Sequence, residues 1–289
     1  MKHERTITPA TMICAVIGNP VAHSLSPALH NAAFQEMGLD FIYVAFRVED
    51  LKSALAGMRA LENFRGMSVT IPHKIEAMNY LDEIAEADRS IGSINTIINE
   101  QGRLIGMGTD GPGALKALVD AGVSMDAKNV LMLGSGGAAR AIAFTLALKT
   151  GLAKLAIMDI NEGMLHGLAA DLKSGTTATI EFDALSDKSL AGAMEQADII
   201  INCTPIGMHP KEGVSLVPAG LFRPGQAVFD VVYTPLETKL LADAKSRGLQ
   251  AISGVEMFIN QAVLQFREFT GVDAPVEVMR RVVMERLKS

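Results

Sequence analysis

The feature that most constrains the fold is a glycine-rich turn directly after a short apolar run. Residues 130–133 are apolar, and residues 134–139 read Gly-Ser-Gly-Gly-Ala-Ala. The run is typical of a buried strand, and a helix is expected after the turn. Gly134 permits a tight turn, Gly136 lets the backbone approach a ligand closely, and Ala139 allows the helix to pack on the strand. Since a helix N-terminus attracts anions, the pattern predicts a site for the pyrophosphate of a dinucleotide.

A carboxylate ends the next predicted strand, Lys154–Asp159. At this position a carboxylate accepts hydrogen bonds from the ribose hydroxyls of NAD and repels the 2′-phosphate of NADP. Ile160 and Asn161 follow, so no arginine stands there to bind that phosphate. We therefore expect NAD to be preferred, with NADP as an alternative cofactor. In the competing interpretation, Asp159 only caps the following helix and the glycine turn is purely structural.

Predicted strands and helices alternate along the whole chain. After residue 110 the alternation is regular, and the first three strands are expected near Asn129–Leu133, Lys154–Asp159 and Thr177–Phe182. Apolar runs such as residues 199–201 suit parallel strands buried on both faces. Before residue 110 we expect a helix at residues 26–37, with Ser26 as its N-cap, and a hairpin formed by residues 94–98 and Arg103–Met107.

The sequence therefore predicts an α/β protein with two domains. A doubly wound, Rossmann-type NAD-binding domain is expected at residues 111–255. Residues 256–289 form a helical stretch that we expect to fold back on the first region. A discontinuous α/β domain that binds substrate and carries the catalytic residues is therefore expected at residues 1–110 and 256–289.

Composition excludes several classes of function. The net charge is −6 and no basic stripe is present, which argues against nucleic acid as a partner. The two cysteines and six scattered histidines have no metal-ligand spacing, so no metal site is expected. Residues 1–5 lack the apolar core of a secretory signal, and no apolar run reaches the roughly 18 residues that span a bilayer. We expect a cytoplasmic protein with a small-molecule substrate, and the sequence leaves a homodimer open.

Polar residues follow the predicted strands of the first region. Taken singly, Ser26 and Asp110 would serve as helix caps, and Lys74 would be a solvated helix residue. Together with other motifs they form a collinear series. In chain order the series consists of Gly18-Asn19-Pro20, Ser24-Leu25-Ser26-Pro27, Val69-Thr70-Ile71-Pro72-His73-Lys74, Asn95-Thr96, Thr109-Asp110-Gly111, the glycine turn, Asn202-Cys203-Thr204-Pro205-Ile206-Gly207-Met208, residues 230–238, Gly254-Val255-Glu256-Met257 and Gln261-Ala262.

This series resembles the shikimate dehydrogenase family, including its quinate/shikimate members, over nearly the whole chain. The resemblance implies reversible hydride transfer between NAD(P) and the ring alcohol of shikimate, with a catalytic pair, Lys74 and Asp110, in the cleft between the domains. It implies substrate contacts from Ser24, Ser26, Thr70, Asn95, Tyr233 and Gln261, with the two serines on the substrate carboxylate. The cofactor contacts suggested by the turn, by the second strand and by the resemblance are Gly134, Ser135, Gly136, Gly137, Ala138, Asp159, Ile160, Asn161, Thr204, Pro205, Met208, Val231, Gly254 and Met257.

A base near the substrate hydroxyl fits this chemistry. An alcohol that loses a hydride must also lose a proton, and a lysine in a poorly solvated environment can take that proton and return it in reduction. Asp110 would position the ammonium and hydrogen-bond the substrate hydroxyl.

Two positions depart from the family pattern. Ser68 and Gly108 stand where the family usually has asparagine, so the substrate stays open between shikimate, quinate and an altered substrate such as an amino analogue of shikimate. Where NADP-specific members read Asn-Arg-Thr, this chain reads Asp159-Ile160-Asn161. A non-catalytic NAD-binding regulator is a further alternative, against which the intact Lys74 and Asp110 argue.

Overall fold

The structure is a computed structural model that describes residues 6–288, apart from the side chain of Ala87. Residues 1–5, on which the expectation of no secretory signal rests, and Ser289 lie outside the described residues. The chain forms two compact units: the first ends at Thr109 and resumes at Gln261, and the second is Asp110–Asn260. These bounds differ from the predicted ones, because Asp110 and residues 256–260 belong to the second unit rather than to the first.

The first unit is built on a six-stranded mixed sheet. Its elements are β1 (Met12–Gly18), α1 (Ser26–Glu36), β2 (Phe41–Arg47), α2 (Leu51–Arg59), β3 (Phe64–Val69), a 3₁₀ helix (Glu76–Tyr80), β4 (Glu83–Ile84), α3 (Glu86–Arg89), β5 (Thr96–Glu100) and β6 (Arg103–Met107). The strand order is β2-β1-β3-β5-β6-β4, in which β1 pairs parallel with β2 and β3. The strands β5 and β6 form an antiparallel hairpin across Gln101 and Gly102, close to the predicted one.

The second unit contains a six-stranded sheet in which every pair is parallel. Its elements are α4 (Asp110–Asp120), β7 (Asn129–Leu133), α5 (Gly137–Lys149), β8 (Lys154–Asp159), α6 (Glu162–Gly175), β9 (Ile180–Ala184), α7 (Asp187–Gln196), β10 (Ile199–Asn202), a 3₁₀ helix (Ala219–Leu221), β11 (Ala227–Asp230), α8 (Lys239–Ser246) and β12 (Gln250–Ser253). In the order β12-β11-β10-β7-β8-β9, the strands after β7 are added first on one side of it and then, from β10 onward, on its other side, as in a dinucleotide-binding sheet. The predicted doubly wound sheet is confirmed.

Two helices complete the chain, α9 (Gly254–Thr270) and α10 (Val276–Lys288). The helical stretch predicted after residue 255 is therefore divided, and Gly271 follows the first helix with a φ of 75°, a conformation that ends helices. Within the first unit α10 packs against α1. None of the described helices is long and apolar enough to cross a lipid bilayer.

The predicted role of Ser26 as a helix N-cap is wrong. Helix α1 already includes Ser26, its N-cap is Leu25, and no side chain caps it. Instead, the backbone N–H of Ser26 donates to Oγ of Ser24 at 3.3 Å. Pro27 lies in the first turn of the helix. The two hydroxyls that the resemblance assigns to a substrate carboxylate therefore stand at the start of one helix.

Candidate active site

The glycine turn joins β7 to α5 in the conformation that the motif predicts. Gly134 has a φ of 104°, and a Cβ there would lie 3.1 Å from the backbone of Cys203 and from the Thr204 side chain. At Gly136, the N-cap of α5, no described atom beyond the two adjacent residues of the chain lies within 4 Å of the place a Cβ would take. The turn thus needs glycine at its first position for the fold, and it keeps space open before the helix N-terminus at its third. That space fits an anion such as a pyrophosphate.

The Asp159 carboxylate closes over the same turn. Its Oδ2 accepts from both the N–H and the hydroxyl of Ser135 at 2.6 Å, and its Oδ1 accepts from the N–H of Asn161 at 2.9 Å. Asn161, not Asp159, caps α6, because its side chain accepts from the N–H of Met164. The interpretation of Asp159 as a helix cap is therefore wrong. Ile160 is 83% exposed beside it.

Two buried polar residues at strand ends, Asn202 and Asp230, shape the loops that carry other predicted cofactor residues. The Asn202 amide donates to Asp230 Oδ1 at 2.9 Å and accepts from the N–H and hydroxyl of Thr204. Asp230 also accepts from the N–H of Val232 and from the Thr238 hydroxyl, and burial raises the pKa of its carboxyl. The motifs contained both residues, but only the fold shows that they hold these loops together.

Helix α9 begins against the loop after β11. A Cβ at Gly254 would lie 2.3 Å from the Val231 carbonyl oxygen, so only glycine permits this approach. Met257 is buried one turn later, whereas Met208 is 40% exposed. Tyr233 stacks on Phe258 with ring centroids 4.5 Å apart, and burial raises the pKa of its phenol to about 12. Four predicted cofactor or substrate residues of the second unit thus lie either on the loop after β11 or in the first turn of α9: Val231, Tyr233, Gly254 and Met257.

In the first unit the predicted substrate residue Asn95 lies beside both points where the chain crosses between units. Its Oδ1 accepts from the N–H of Thr109 at 2.7 Å, and its Nδ2 donates to Oε1 of Gln261 at 3.4 Å. Thr109 precedes Asp110, and Gln261 is the first residue after the second crossing. Asn95 therefore anchors the end of the segment that leads to Asp110.

Lys74 and Asp110 are held in place by different parts of the fold. Lys74 lies half-buried in the turn before the 3₁₀ helix, and its carbonyl accepts from the N–H of Ile94 at 3.0 Å. The adjacent residue His73 is buried and connects the same turn to Val48, because its Nε2 lies 2.9 Å from the backbone carbonyl oxygen of Val48. Asp110 is buried as the first residue of α4 in the second unit.

Thr70, which precedes this turn, is held by backbone bonds. Its N–H donates to the Ile17 carbonyl at 2.9 Å, and its carbonyl accepts from the N–H of His73 at 3.0 Å. A Cβ at Gly18 would lie 2.4 Å from the Thr70 side chain, so glycine at that position makes room for it.

The described residues contain no group of three or more histidine, cysteine, aspartate or glutamate side chains that could hold a metal ion.

Family models match three parts of the chain. The shikimate dehydrogenase substrate binding domain matches residues 16–97, and the shikimate 5′-dehydrogenase C-terminal domain matches residues 254–284. Residues 130–211 match the NADP binding domain of saccharopine dehydrogenase. A shikimate dehydrogenase (NADP(+)) from Moorella thermoacetica is 43% identical over 284 residues, which cover 97% of this chain and 95% of the relative. The chain belongs to the shikimate dehydrogenase family. It is accordingly an oxidoreductase that acts on a CH–OH group with a nicotinamide dinucleotide.

Solved structures of the family agree with the fold. A shikimate dehydrogenase in complex with NADP+ is 40% identical with a TM-score of 0.90, and the match covers 98% of both chains. A shikimate 5-dehydrogenase from Listeria monocytogenes, in complex with shikimate and NAD, is 34% identical with a TM-score of 0.89, and the match covers 98% of this chain and all of the other.

Proposed function

We propose that the chain catalyses reversible oxidation of the ring hydroxyl of shikimate to the ketone of 3-dehydroshikimate, with NAD preferred over NADP. The observation that carries the cofactor preference is the Asp159 carboxylate, which lies against the glycine turn and faces no cationic side chain from the two residues that follow. The curated relative cited above is named for NADP(+), and the Listeria structure holds NAD, so both cofactors occur in the family.

The residues of the second unit fit a bound dinucleotide. The helix N-terminus behind Gly136 would hold the pyrophosphate, and Asp159 would accept hydrogen bonds from the adenosine ribose. The exposed Ile160 offers an apolar surface to the adenine, which also gives its exposure of 83% a physical reason. When bound, NAD supplies a nicotinamide ring that accepts a hydride from the substrate carbon.

In the first unit Ser24 and Ser26 would donate to the substrate carboxylate from the start of α1. Asn95 and Gln261 offer amide groups to ring hydroxyls, Thr70 offers a hydroxyl, and Tyr233 of the second unit offers a phenol as a donor. Hydroxyl and amide donors of this kind suit a small polyhydroxylated acid.

Lys74 would remove the hydroxyl proton as the hydride leaves, and Asp110 would hold the ammonium that results. The hydrogen bonds around Lys74 and Asp110 would hold both residues in position for this proton transfer. His73 and Ile94 fix the backbone on either side of Lys74, and Thr109 fixes the backbone before Asp110. The division of the chain into a substrate-binding unit and a dinucleotide-binding unit is part of the same proposal.

The alternative substrates have a structural basis at Gly108. Its N–H donates to Asp88 Oδ2 at 2.9 Å, and a Cβ there would lie 2.6 Å from Asp88 Oδ1. A carboxylate therefore fills the place where the usual asparagine side chain would begin. Because such a change near Asn95 and Thr109 can alter which ring substituents are accepted, quinate and an amino analogue of shikimate belong in the same assay.

Replacing Lys74 by alanine tests the catalytic part of the proposal. Loss of a positioned base should lower kcat for shikimate oxidation by roughly 10²- to 10⁴-fold, while the Kd for NAD, measured by isothermal titration calorimetry, stays nearly the same. Lys52→Ala, which removes an exposed lysine of α2 in the same unit, is the matched control and should keep full activity. A fully active Lys74→Ala variant would exclude Lys74 as the base.

A further inference from the structure

A chain of buried side chains links the interior of the first unit to the predicted substrate residue Asn95. The Tyr43 hydroxyl donates to Ser68 Oγ at 2.5 Å, and Ser68 Oγ donates to Gln265 Oε1 at 2.7 Å. Gln265 Nε2 donates to the Asn95 carbonyl oxygen at 3.1 Å and to Thr96 Oγ1 at 3.0 Å. All five residues are nearly inaccessible to solvent. The chain passes through Ser68, one of the two departures from the family pattern.

The backbone carbonyl of Asn95 fixes the direction of the hydrogen bonds from Tyr43 through Ser68 to Gln265. The Asn95 carbonyl oxygen can only accept, so Gln265 must turn its NH₂ group toward it. Gln265 Oε1 then faces Ser68, which has to donate to it and to accept from Tyr43. Ser68, with one proton and two lone pairs, satisfies both partners.

The same constraint reaches the Asn95 side chain. Thr96 Oγ1 accepts from Gln265, and its own proton is free to donate to Asn95 Oδ1, which lies 3.2 Å away. The N–H of Thr109 also donates to this oxygen, at 2.7 Å. With Oδ1 held by two donors, the NH₂ group of Asn95 is turned toward the Thr109 hydroxyl at 2.9 Å and toward Gln261 Oε1 at 3.4 Å. A reversed Asn95 amide would place its NH₂ group against two donors, which the buried site penalises.

We propose that Gln265 is a positioning residue that, together with the N–H of Thr109, holds the Asn95 amide in its donor–acceptor orientation, and through it supports the recognition of a substrate ring hydroxyl. The inference rests on the proposed function for the identity of the substrate. Gln265 lies on α9 one turn after Gln261, so one helix carries both the substrate amide and the residue that orients its neighbour. A site that binds a hydroxyl through an oriented amide rejects analogues more strongly than a site with a freely turning amide.

Gln265→Met tests this role, because methionine has a similar volume and no hydrogen-bonding amide. With Asn95 released, KM for shikimate should rise by roughly tenfold, whereas kcat should change much less. Combined with Asn95→Ala, the loss should be far smaller than the product of the two single losses, because both changes remove the same contact.

Gln226→Met is the matched control. Gln226 is a buried amide of the second unit whose Nε2 also donates to two carbonyl oxygens, those of Met194 and Ala197, at 3.0 and 2.9 Å. It should lower the Tm as Gln265→Met does, but leave KM for shikimate unchanged. An equal rise of KM in both variants would show a general loss of stability and would overturn the proposal.

Hydrogen exchange at the Thr109 amide gives a readout that does not need turnover. In Gln265→Met this amide should exchange roughly tenfold faster than in the wild type, because its acceptor is no longer held. In Gln226→Met it should keep its protection. Unchanged exchange at Thr109 together with unchanged KM would overturn the proposal. A wild-type protein that does not oxidise shikimate would overturn the proposed function and the link to substrate, whereas Thr109 exchange would still decide whether Gln265 fixes Asn95.

Discussion

Replacing Asp159 by alanine together with Ile160 by arginine should move the cofactor preference from NAD toward NADP. In the wild type the Asp159 carboxylate would stand beside the ribose hydroxyl that carries the 2′-phosphate in NADP. Two unit charges about 5 Å apart repel by about 1 kcal/mol in water and by about 3 kcal/mol at the effective dielectric of a site near a protein surface. A half-buried carboxylate lies between these limits, which corresponds to a roughly 5- to 150-fold preference in kcat/KM.

The structure shows what the exchange would release. Asp159 accepts from the N–H and hydroxyl of Ser135 and from the N–H of Asn161. Without the carboxylate these three donors become available to a 2′-phosphate, and an arginine at position 160 adds a charge-assisted bond. The buried N–H of Ser135 loses its acceptor in the absence of cofactor, so the variant should also be less stable by about 1 to 3 kcal/mol.

The assay is the ratio of kcat/KM for NADP to that for NAD, at saturating shikimate and fixed ionic strength. The ratio should rise by roughly tenfold or more in the double variant. Asp183→Ala is the matched control, because it removes an exposed carboxylate on β9, which lies beside β8. An unchanged ratio in the double variant would refute the assignment of Asp159 to the ribose.

Two further perturbations separate fold from function. Gly136→Ala should leave the Tm unchanged and raise the KM for NAD by roughly tenfold or more, because the added Cβ has room in the fold but enters the proposed pyrophosphate space. Gly134→Ala should instead lower the Tm, because Gly134 has a φ of 104°. A Gly136→Ala variant with a normal KM for NAD would contradict the proposed pyrophosphate site. Burial lowers the pKa of His30 from 6.5 to about 3, partly offset by the nearby Gln265 amide, so the unfolded chain binds a proton that the folded chain does not. The free energy of unfolding should therefore fall as the pH drops below about 6.5. Between pH 7.5 and pH 5, His30→Phe should lose about 2 kcal/mol less of this free energy than the wild type, as measured by urea unfolding. An equal loss in the wild type and the variant would contradict the burial of a neutral imidazole at His30.

The sequence predicted the second unit in most of its detail. The strands β7 and β8 have the predicted bounds Asn129–Leu133 and Lys154–Asp159, because each is a short apolar run with turn residues after it. Strand β9 begins three residues later than predicted, at Ile180. Most of this strand is exposed, so it lacks the apolar pattern that located the buried strands.

In the first unit the local signals were less decisive. Ser26 followed by Pro27 has the pattern of a helix cap, yet Ser24 supplies the acceptor for the first N–H and the helix begins one position earlier. Serine at either position satisfies local preferences equally, so only the geometry distinguishes them. The boundary at Asp110 also differs, because Asp110 is already the first residue of α4 and that helix belongs to the second unit.

The chain of hydrogen bonds from Tyr43 to Asn95 could not be predicted from the sequence. Tyr43, Ser68 and Gln265 meet because β2 and β3 flank β1 and α9 packs near them, a proximity that no local pattern encodes. Ser68 stood out only as a departure from the family pattern. Its position between two buried partners now gives that departure a structural role.

The most direct test of the proposed function is a steady-state comparison of shikimate and quinate, each with NAD and with NADP, on the wild-type protein. We expect the highest kcat/KM for shikimate with NAD, by a roughly 5- to 150-fold margin over shikimate with NADP. A wide preference for NADP would contradict the role of Asp159. An absence of turnover with all four pairs would contradict the proposed reaction itself.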